Sequence, residues 1–458
     1  MWRHQEQDLI NWHNNPRKKP LLVRGARQVG KSTLVRNFAS NQNLTLHEVN
    51  LEKHPNLASV FNSMGSSNIL REIEFISGMG PITKNSLIFI DEIQAIPKAV
   101  TALRYLYEEK NDVSVIAAGS LLENTLVNEN ISMPVGRIEY LYIGPMTFSE
   151  VLIAKNRQDL LKAVEQATPN NTFSPTAHQL LLDLQRDFLV VGGMPEATAV
   201  HLETKSFTEV QNVHRSIVES YKNDFQKYTS SKNINRLNKV LDYMPNGVGK
   251  KVKYSAIDPH ERSANIGEAY NLLSLAQVIF SAFRSKAEGV PLAASQDYKV
   301  FKSFFIDCGL LATMSNIGPI SKEQIKQHSF VNEGAIAEQF IAQHLLYFYG
   351  SRVKPVLHYW LREGRSNNAE VDFIVQSNRE IIPIEVKSGT SGSLKSLQQF
   401  MATKNPNTSI RFDTNPISEI KMQHKTITKK GEAQLDNKLI SIPLYAVEQL
   451  QRIISEAN

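Results

Sequence analysis

The chain has 458 residues, 41% of them hydrophobic and 21% charged, with a formal net charge of +6 and one cysteine, Cys308. These proportions fit a folded protein of about two to four domains and exclude a disordered chain, a disulfide framework and a multi-cysteine zinc site. No apolar run approaches the roughly 18 residues of a membrane-spanning helix, and the modest positive charge leans toward an anionic partner without naming one.

The N-terminal string MWRHQEQDLINW lacks the apolar core of a secretory signal, so no membrane and a reducing, cytoplasmic setting are expected. Leu21-Leu22-Val23 reads as a buried strand. It runs into Gly25-Ala26-Arg27-Gln28-Val29-Gly30-Lys31-Ser32-Thr33. Leu34, Val35 and Phe38 then fall at helical spacing, so a Gly-x-x-x-x-Gly-Lys-Ser loop lies between a strand and a helix. Glycines there let backbone N–H groups turn inward onto phosphate oxygens at a helix N-terminus. Lys31 is expected to reach the β- and γ-phosphates of ATP, and Ser32 to offer its hydroxyl to Mg²⁺.

Ser86-Leu87-Ile88-Phe89-Ile90 reads as a fully buried parallel strand, with Asp91 and Glu92 at its C-terminal end. Ligands of open α/β sheets bind at that end. Asp91 is expected to hold Mg²⁺ through water, and Glu92 to orient and deprotonate the attacking water. Leu103, Leu106 and Tyr107 mark a helix. A third strand, Val113 to Ala118, ends in Gly119-Ser120. Ser120 is either a sensor of the γ-phosphate or an ordinary turn serine.

The strings LLVRGARQVGKST, LIFIDEIQAIP, ALRYLYE, VIAAGSLLE, PVGRIEYLYIGPMTFSEVL, FLVVGGMPEA and FIDCGLLA occur in order between residue 2 and about residue 314. Together they resemble the bacterial and archaeal AAA-type ATPases with a long uncharacterised C-terminal region. The resemblance implies that Arg137, in PVGR, is a γ-phosphate sensor or arginine finger, acting in cis or on a neighbouring subunit of a homo-oligomer. The alternative is that Arg137 pairs with a local acid such as Glu139.

Residues 150 to 200 read as helical, with a stripe of Leu180, Leu181, Leu184 and Phe188, and Gly192-Gly193-Met194-Pro195 breaks the chain at an expected domain edge. For residues 205–315 the resemblance implies helices plus a winged-helix-like unit, and Gly267 to Leu273 fits the helix before a wing. Lys250, Lys251 and Lys253 are its densest basic cluster. Such a unit binds duplex DNA through phosphates, or serves as a protein-packing lid that reports nucleotide state.

Residues 369 to 387, AEVDFIVQSNREIIPIEVK, alternate as two strands around a turn at Ser377 to Glu380. A turn centred on Asn378-Arg379 places Asp372 opposite Glu385, their Cβ atoms about 5 Å apart, with Lys387 on the same face. Two carboxylates and a lysine converging on one face call for a divalent cation, Mg²⁺ or Mn²⁺, and the lysine can orient a metal-activated water. Glu333 to Tyr349 reads as a helix whose stripe of Ala335, Glu338, Ala342 and Leu345 packs on that sheet. Leu394 to Phe400 starts another, with Lys395 and Gln398 facing the same site. This order resembles the PD-(D/E)xK nuclease fold, in the group that includes Holliday-junction resolvases. The resemblance implies that Glu338, Asp372 and Glu385 hold metal, Lys387 assists the water and Gln398 stabilises phosphate or water. Further strands are expected at Thr408 to Phe412 and Leu439 to Leu444. The basic stretch around Lys421, Lys425, Lys429 and Lys430 reads as a solvated loop rather than a DNA-backbone contact.

The expected architecture is α/β in three parts: an AAA-type P-loop domain with a helical extension (1–200), a helical winged-helix-like domain (201–325) and a restriction-endonuclease-like domain (326–458). The expected activity is Mg²⁺-dependent ATP hydrolysis coupled to DNA binding or metal-dependent DNA cleavage. The alternative is an ATP-driven regulatory protein whose nuclease-like domain is silent.

Overall fold

The computed structural model describes residues 1–63, 65–110, 112–120, 122, 131–225, 231–315, 333–363, 368–390, 392–428 and 431–457. The N-terminal third is built on five parallel strands: β1 (Leu21–Arg24), β2 (Thr45–Asn50), β3 (Ser86–Asp91), β4 (Ser114–Gly119) and β5 (Glu139–Tyr142). They lie in the order β2-β3-β4-β1-β5. Every residue of β1, β3 and β4 is buried, as unbroken apolar runs require when both sheet faces are covered. Alternation splits them between two cores. Leu21, Val23, Leu87, Phe89 and Ile116 face one side; Leu22, Ile88, Ile90 and Ala117 face the other. The covering helices are α1 (Gln5–His13), α2 (Lys31–Asn41), α3 (Ala58–Ser63), α4 (Ser66–Ser77) and α5 (Lys98–Glu109). Register brings Arg24 beside Gly119 and Asn50 beside Asp91, so the C-terminal ends of these strands open onto one region.

Five helices follow: α6 (Phe148–Ala154), α7 (Gln158–Gln166), α8 (Pro175–Val191), α9 (Pro195–Thr204) and α10 (Phe207–Phe225). On α8, Leu181 and Phe188 are fully buried but Leu180 is 39% exposed, so the apolar stripe is narrower than the sequence suggests. Gly192 and Gly193 separate α8 from α9 at a tightly packed crossing. A Cβ on Gly192 (φ +68°) would overlap the Asp307 carboxylate, and one on Gly193 would overlap Met146 O. Asp307 uses that proximity: it accepts a hydrogen bond from Gly193 N at 2.7 Å and from Leu310 N at 3.0 Å.

Beyond α10 the order is α11 (Ser231–Gly247), α12 (Tyr254–Ile257), α13 (Ser263–Leu275), a hairpin of β6 (Ile279–Ser285) and β7 (Gln296–Phe305), and α14 (Cys308–Met314). Single bridges, Val248 to Ser303 and Lys251 to Lys302, dock the segment between α11 and α12 onto β7. Cys308 is buried, as its apolar neighbours imply.

The C-terminal region contains α15 (Glu333–Leu345), β8 (Leu357–Arg362), β9 (Ala369–Val371), β10 (Phe373–Ser377), β11 (Glu380–Val386), α16 (Lys395–Lys404), β12 (Thr408–Asp413), β13 (Ser418–Thr428), β14 (Gly431–Pro443) and α17 (Leu450–Ala457). Its strands form two sheets. One joins β8 and β9 to the hairpin in the order β7-β6-β8-β9, and so runs across residue 325. The other has the order β10-β11-β12-β14-β13. The β10–β11 ladder runs from Phe373 opposite Ile384 to Ser377 opposite Glu380. Its two-residue turn is eased by Asn378, whose φ of +54° suits an asparagine. Two local expectations change. The helix from Glu333 stops at Leu345, and the basic stretch is no loop through Thr428, because β13 pairs antiparallel with β14. Lys429 and Lys430 lie outside the described residues.

Candidate functional site

The loop between β1 and α2 has the backbone its sequence demands. Gly30 adopts φ +93° as the residue before the helix. Gly25 is required for a different reason: a Cβ there would overlap Ile143 O, at the exit of β5. Lys31 is buried and folds back onto the loop, donating to Gly25 O at 3.0 Å and Ala26 O at 2.7 Å. Burial pushes its pKa down to about 8, although Glu92 and Asp91 oppose the fall. An ammonium held on loop carbonyls in a dry site gains most from an arriving polyphosphate.

Ser32 Oγ donates to Asp91 Oδ2 at 2.9 Å, so the hydroxyl and carboxylate expected to share Mg²⁺ already meet. Burial raises the Asp91 pKa, and the Ser32 hydrogen bond partly counters it. Hard oxygen donors of this type fit Mg²⁺. Glu92 follows with φ +52°, a left-handed conformation that costs a non-glycine residue about 1–3 kcal/mol and is characteristic of active sites. Its carboxylate accepts a hydrogen bond from Gln94 Nε2, and Gln94 in turn packs against Gly119 at the end of β4. Ser120 is buried, and its Oγ has no hydrogen-bond partner among the described residues. Arg137 donates to Glu108 Oε1 at 2.8 Å, not to Glu139, which instead pairs with Arg352. At 46% exposure Arg137 lines an open cleft of about 650 Å³ with Lys98, Thr101, Arg104 and Met133.

Residues from outside the motif clamp the loop. Arg3, 5% exposed, donates to Val29 O at 2.9 Å and Gly144 O at 2.7 Å and pairs with Glu150 at 3.0 Å. From α10, Tyr221 donates to Arg27 O at 3.1 Å, while Asp224 lies 2.8 Å from the Arg27 guanidinium. The other named loop residues, Gln28 and Thr33, occupy the turn and the first turn of α2.

At the far end the acidic residues also converge. Asp372 Oδ2 accepts from Val386 N at 2.8 Å, which sets it against the strand carrying Glu385. Lys387 Nζ donates to Glu385 Oε1 at 2.6 Å, and Glu385 Oε2 is buried with no hydrogen-bond partner among the described residues. Glu338 reaches the cluster from α15. Between these groups stands Lys302 of β7, 1% exposed, with Nζ 2.8 Å from Glu338, 2.9 Å from Glu370 and 3.7 Å from Asp372. Burial works against its charge, but Glu338, Asp372 and Glu370 outweigh it and hold its pKa above the usual lysine range. Burial also raises Glu338 and Glu385, with Asp372 adding to both rises. Among the described residues no group of three or more acidic, histidine or cysteine side chains is placed to hold a metal ion. Gln398 is half-buried on α16 and makes no side-chain hydrogen bond to the carboxylates; Ser396 of that helix accepts from Glu370 N at 3.3 Å.

Arg3, Gln94, Tyr221, Asp224, Lys302 and Glu370 are not singled out by motif or spacing. For Lys302 a signal exists. It is the charged residue of Val300-Phe301-Lys302-Ser303-Phe304-Phe305, and it shares a strand face with Phe304.

Residues 17–152 match the AAA domain family. Residues 182–321 and 333–444 match two domains of unknown function, DUF8612 and DUF4143. No curated protein matches the chain. Solved structures similar to it include the Thermotoga maritima RuvB Holliday junction branch migration motor. That match has 18% identity and a TM-score of 0.28, and covers 60% of this chain and 87% of that one. Another is the Aeropyrum pernix ORC2 protein in its ADP form, with 13% identity and a TM-score of 0.29, covering 69% and 94%. The N-terminal part is a P-loop AAA-type domain. No helix among the described residues is long and apolar enough to cross a membrane.

Proposed function

We propose that the chain is a Mg²⁺-dependent ATPase that passes its nucleotide state to a DNA-binding middle region through α10. The observation that carries this is the meeting of Ser32 with Asp91 beside Lys31 and the strained Glu92. Lys31 would leave the loop carbonyls for the β- and γ-phosphates, and Ser32 and Asp91 would hold the metal, which offsets phosphate charge. Glu92, released by Gln94, would take the proton of the attacking water, with Ser120 Oγ available to orient water or phosphate. Arg137, exposed and held among the described residues by Glu108, is positioned to serve a neighbouring copy in a homo-oligomer.

For DNA, the support is the net charge of +6 and the order helix, bridge, short helix, helix and hairpin over 231–305, which suits a winged-helix-like unit. Lys250 and Lys253 beside it are exposed, whereas Lys251 pairs with Glu363. The C-terminal arrangement suits a restriction-endonuclease-like domain, and cleavage there would use Asp372, Glu385 and Lys387. One observation favours a second reading, in which that domain is silent and the output is regulatory: Lys302 stands among its carboxylates.

The test is ATP turnover by wild type, Lys31→Ala and Glu92→Gln, with supercoiled, linear and branched DNA assayed for binding and cutting in Mg²⁺ or Mn²⁺. Unchanged turnover in both variants sinks the ATPase reading. Cleavage lost in Asp372→Ala and Glu385→Ala establishes the first output, and absence of cutting favours the second.

A further inference from the structure

We propose that Lys302 is the resident cation of the C-terminal acidic centre: its ammonium group holds the place between Glu338, Glu370 and Asp372 that a divalent ion needs, and keeps Mg²⁺ and Mn²⁺ out. The inference deepens the reading in which this domain does not cut DNA, because it names what silences it.

The geometry leaves little room for both cations. Lys302 Nζ is 2.8 Å from Glu338 Oε2 and 2.9 Å from Glu370 Oε1. Mg²⁺ bound to those carboxylates would sit about 2.0–2.1 Å from their oxygens, with six ligands in all. That brings it against an ammonium group already sharing the same atoms, where like charges in a buried site repel strongly.

Nor can the lysine readily withdraw. A surface lysine swings its head into water, but this one is 1% exposed. Its nitrogen lies 5.7 Å from the centre of the Tyr359 ring. The strand is held on both sides of it, by Val252 N to Phe301 O at 2.9 Å and Gly249 N to Ser303 O at 3.0 Å. Gly249, at φ +71°, is backed against Glu338, and a Cβ there would come within 2.9 Å of Oε2.

Two further carboxylate oxygens are committed as well: Asp372 Oδ2 accepts from Val386 N and Glu385 Oε1 from Lys387, while Glu385 Oε2 is buried with no hydrogen bond among the described residues. Lys302 belongs to the segment matching one family and the carboxylates to the segment matching another, so the centre is completed only when the two fold together.

The experiment counts Mn²⁺ ions bound to the nucleotide-free full chain by electron paramagnetic resonance, with thermal melting as a second readout. Wild type is expected to hold no ion that Glu338→Gln removes. Lys302→Met is expected to gain one bound ion and to melt higher in Mn²⁺; Lys302→Met/Asp372→Asn loses both effects, and Lys302→Arg never gains them. Lys302→Gln replaces the methionine variant if that one does not fold. An ion in wild type that Glu338→Gln abolishes overturns the proposal by itself, whatever the lysine variants do. A folded Lys302→Met that binds no ion overturns it too. DNA cleavage by wild type sinks the silent-domain reading; a metal-loaded wild type without cleavage sinks the Lys302 assignment alone.

Discussion

The Tyr221 hydroxyl donates to Arg27 O, 3.1 Å away, and so ties α10 to the middle of the phosphate loop. Three residues on, Asp224 engages the Arg27 guanidinium at 2.8 Å. A loop that tightened around phosphate would pull on a helix of 19 residues whose buried apolar positions, among them Val210 and Ile217, belong to the main core. Tyr221→Phe keeps the ring and removes that bond. A hydrogen bond of this kind contributes about 0.5–1.5 kcal/mol. ATP affinity is expected to fall about three- to tenfold, read by calorimetry, with the fold intact.

Gly25→Ala tests the loop's closest approach. The added methyl group would overlap Ile143 O, whose residue is anchored by Ile143 N to Arg24 O at 2.8 Å. Overpacking of this sort costs about 1–3 kcal/mol. A lowered melting temperature is expected, with nucleotide binding weakened by at least about tenfold; normal binding in a folded variant contradicts the geometry.

Arg137→Ala separates catalysis from stability. Its pair with Glu108 is exposed, and such pairs contribute little to folding. Melting and ATP binding should stay put while turnover drops by about 10³ or more, the scale of a lost arginine finger. Specific activity of wild type that rises with protein concentration identifies the arginine as acting on a neighbour. Activity independent of concentration assigns it to its own subunit.

The Glu448 carboxylate joins the C-terminal region to the first residues of the chain, 3.5 Å from His4 and 2.8 Å from Ser149 N. Burial raises its pKa, but the His4 hydrogen bond and nearby imidazole charge outweigh it and depress it to about 2. Burial lowers the His344 pKa, and its Nε2 accepts from Phe148 N at 3.0 Å, whereas His4 Nε2 faces the Glu448 carboxylate. A depressed acid contributes stability above its unfolded pKa of about 4.3 and loses it as pH falls toward the folded value. His4 runs the opposite way: burial lowers its pKa, Glu448 more than compensates, and its contribution fades as pH rises past its folded value above 6.5. The melting-temperature gap between wild type and Glu448→Gln should be widest near pH 5–6 and shrink in both directions.

Features encoded over a few residues could be read directly from the chain. The loop at Gly25 has glycines at forced positions, the strand before Asp91 is an unbroken apolar run, and the β10–β11 register follows from period-two alternation around Asn378. Period and turn chemistry are local, so they survive in one dimension. The same logic fails on β13. Its lysines make it look like loop, and only the ladder to β14, bonding Ile420 opposite Leu439, makes it strand.

What meets at each site was decided by the folding together of distant segments. Arg3 reaches Val29, Tyr221 reaches Arg27, and Lys302 reaches Glu338 and Glu370 across gaps that leave no periodic trace. For Asp372, Glu385 and Lys387 the sequence alone set the convergence of charge on one sheet face. Which cation answers that charge depended on a strand that pairs into the neighbouring sheet, because a buried charge takes whichever partner the packed structure places beside it.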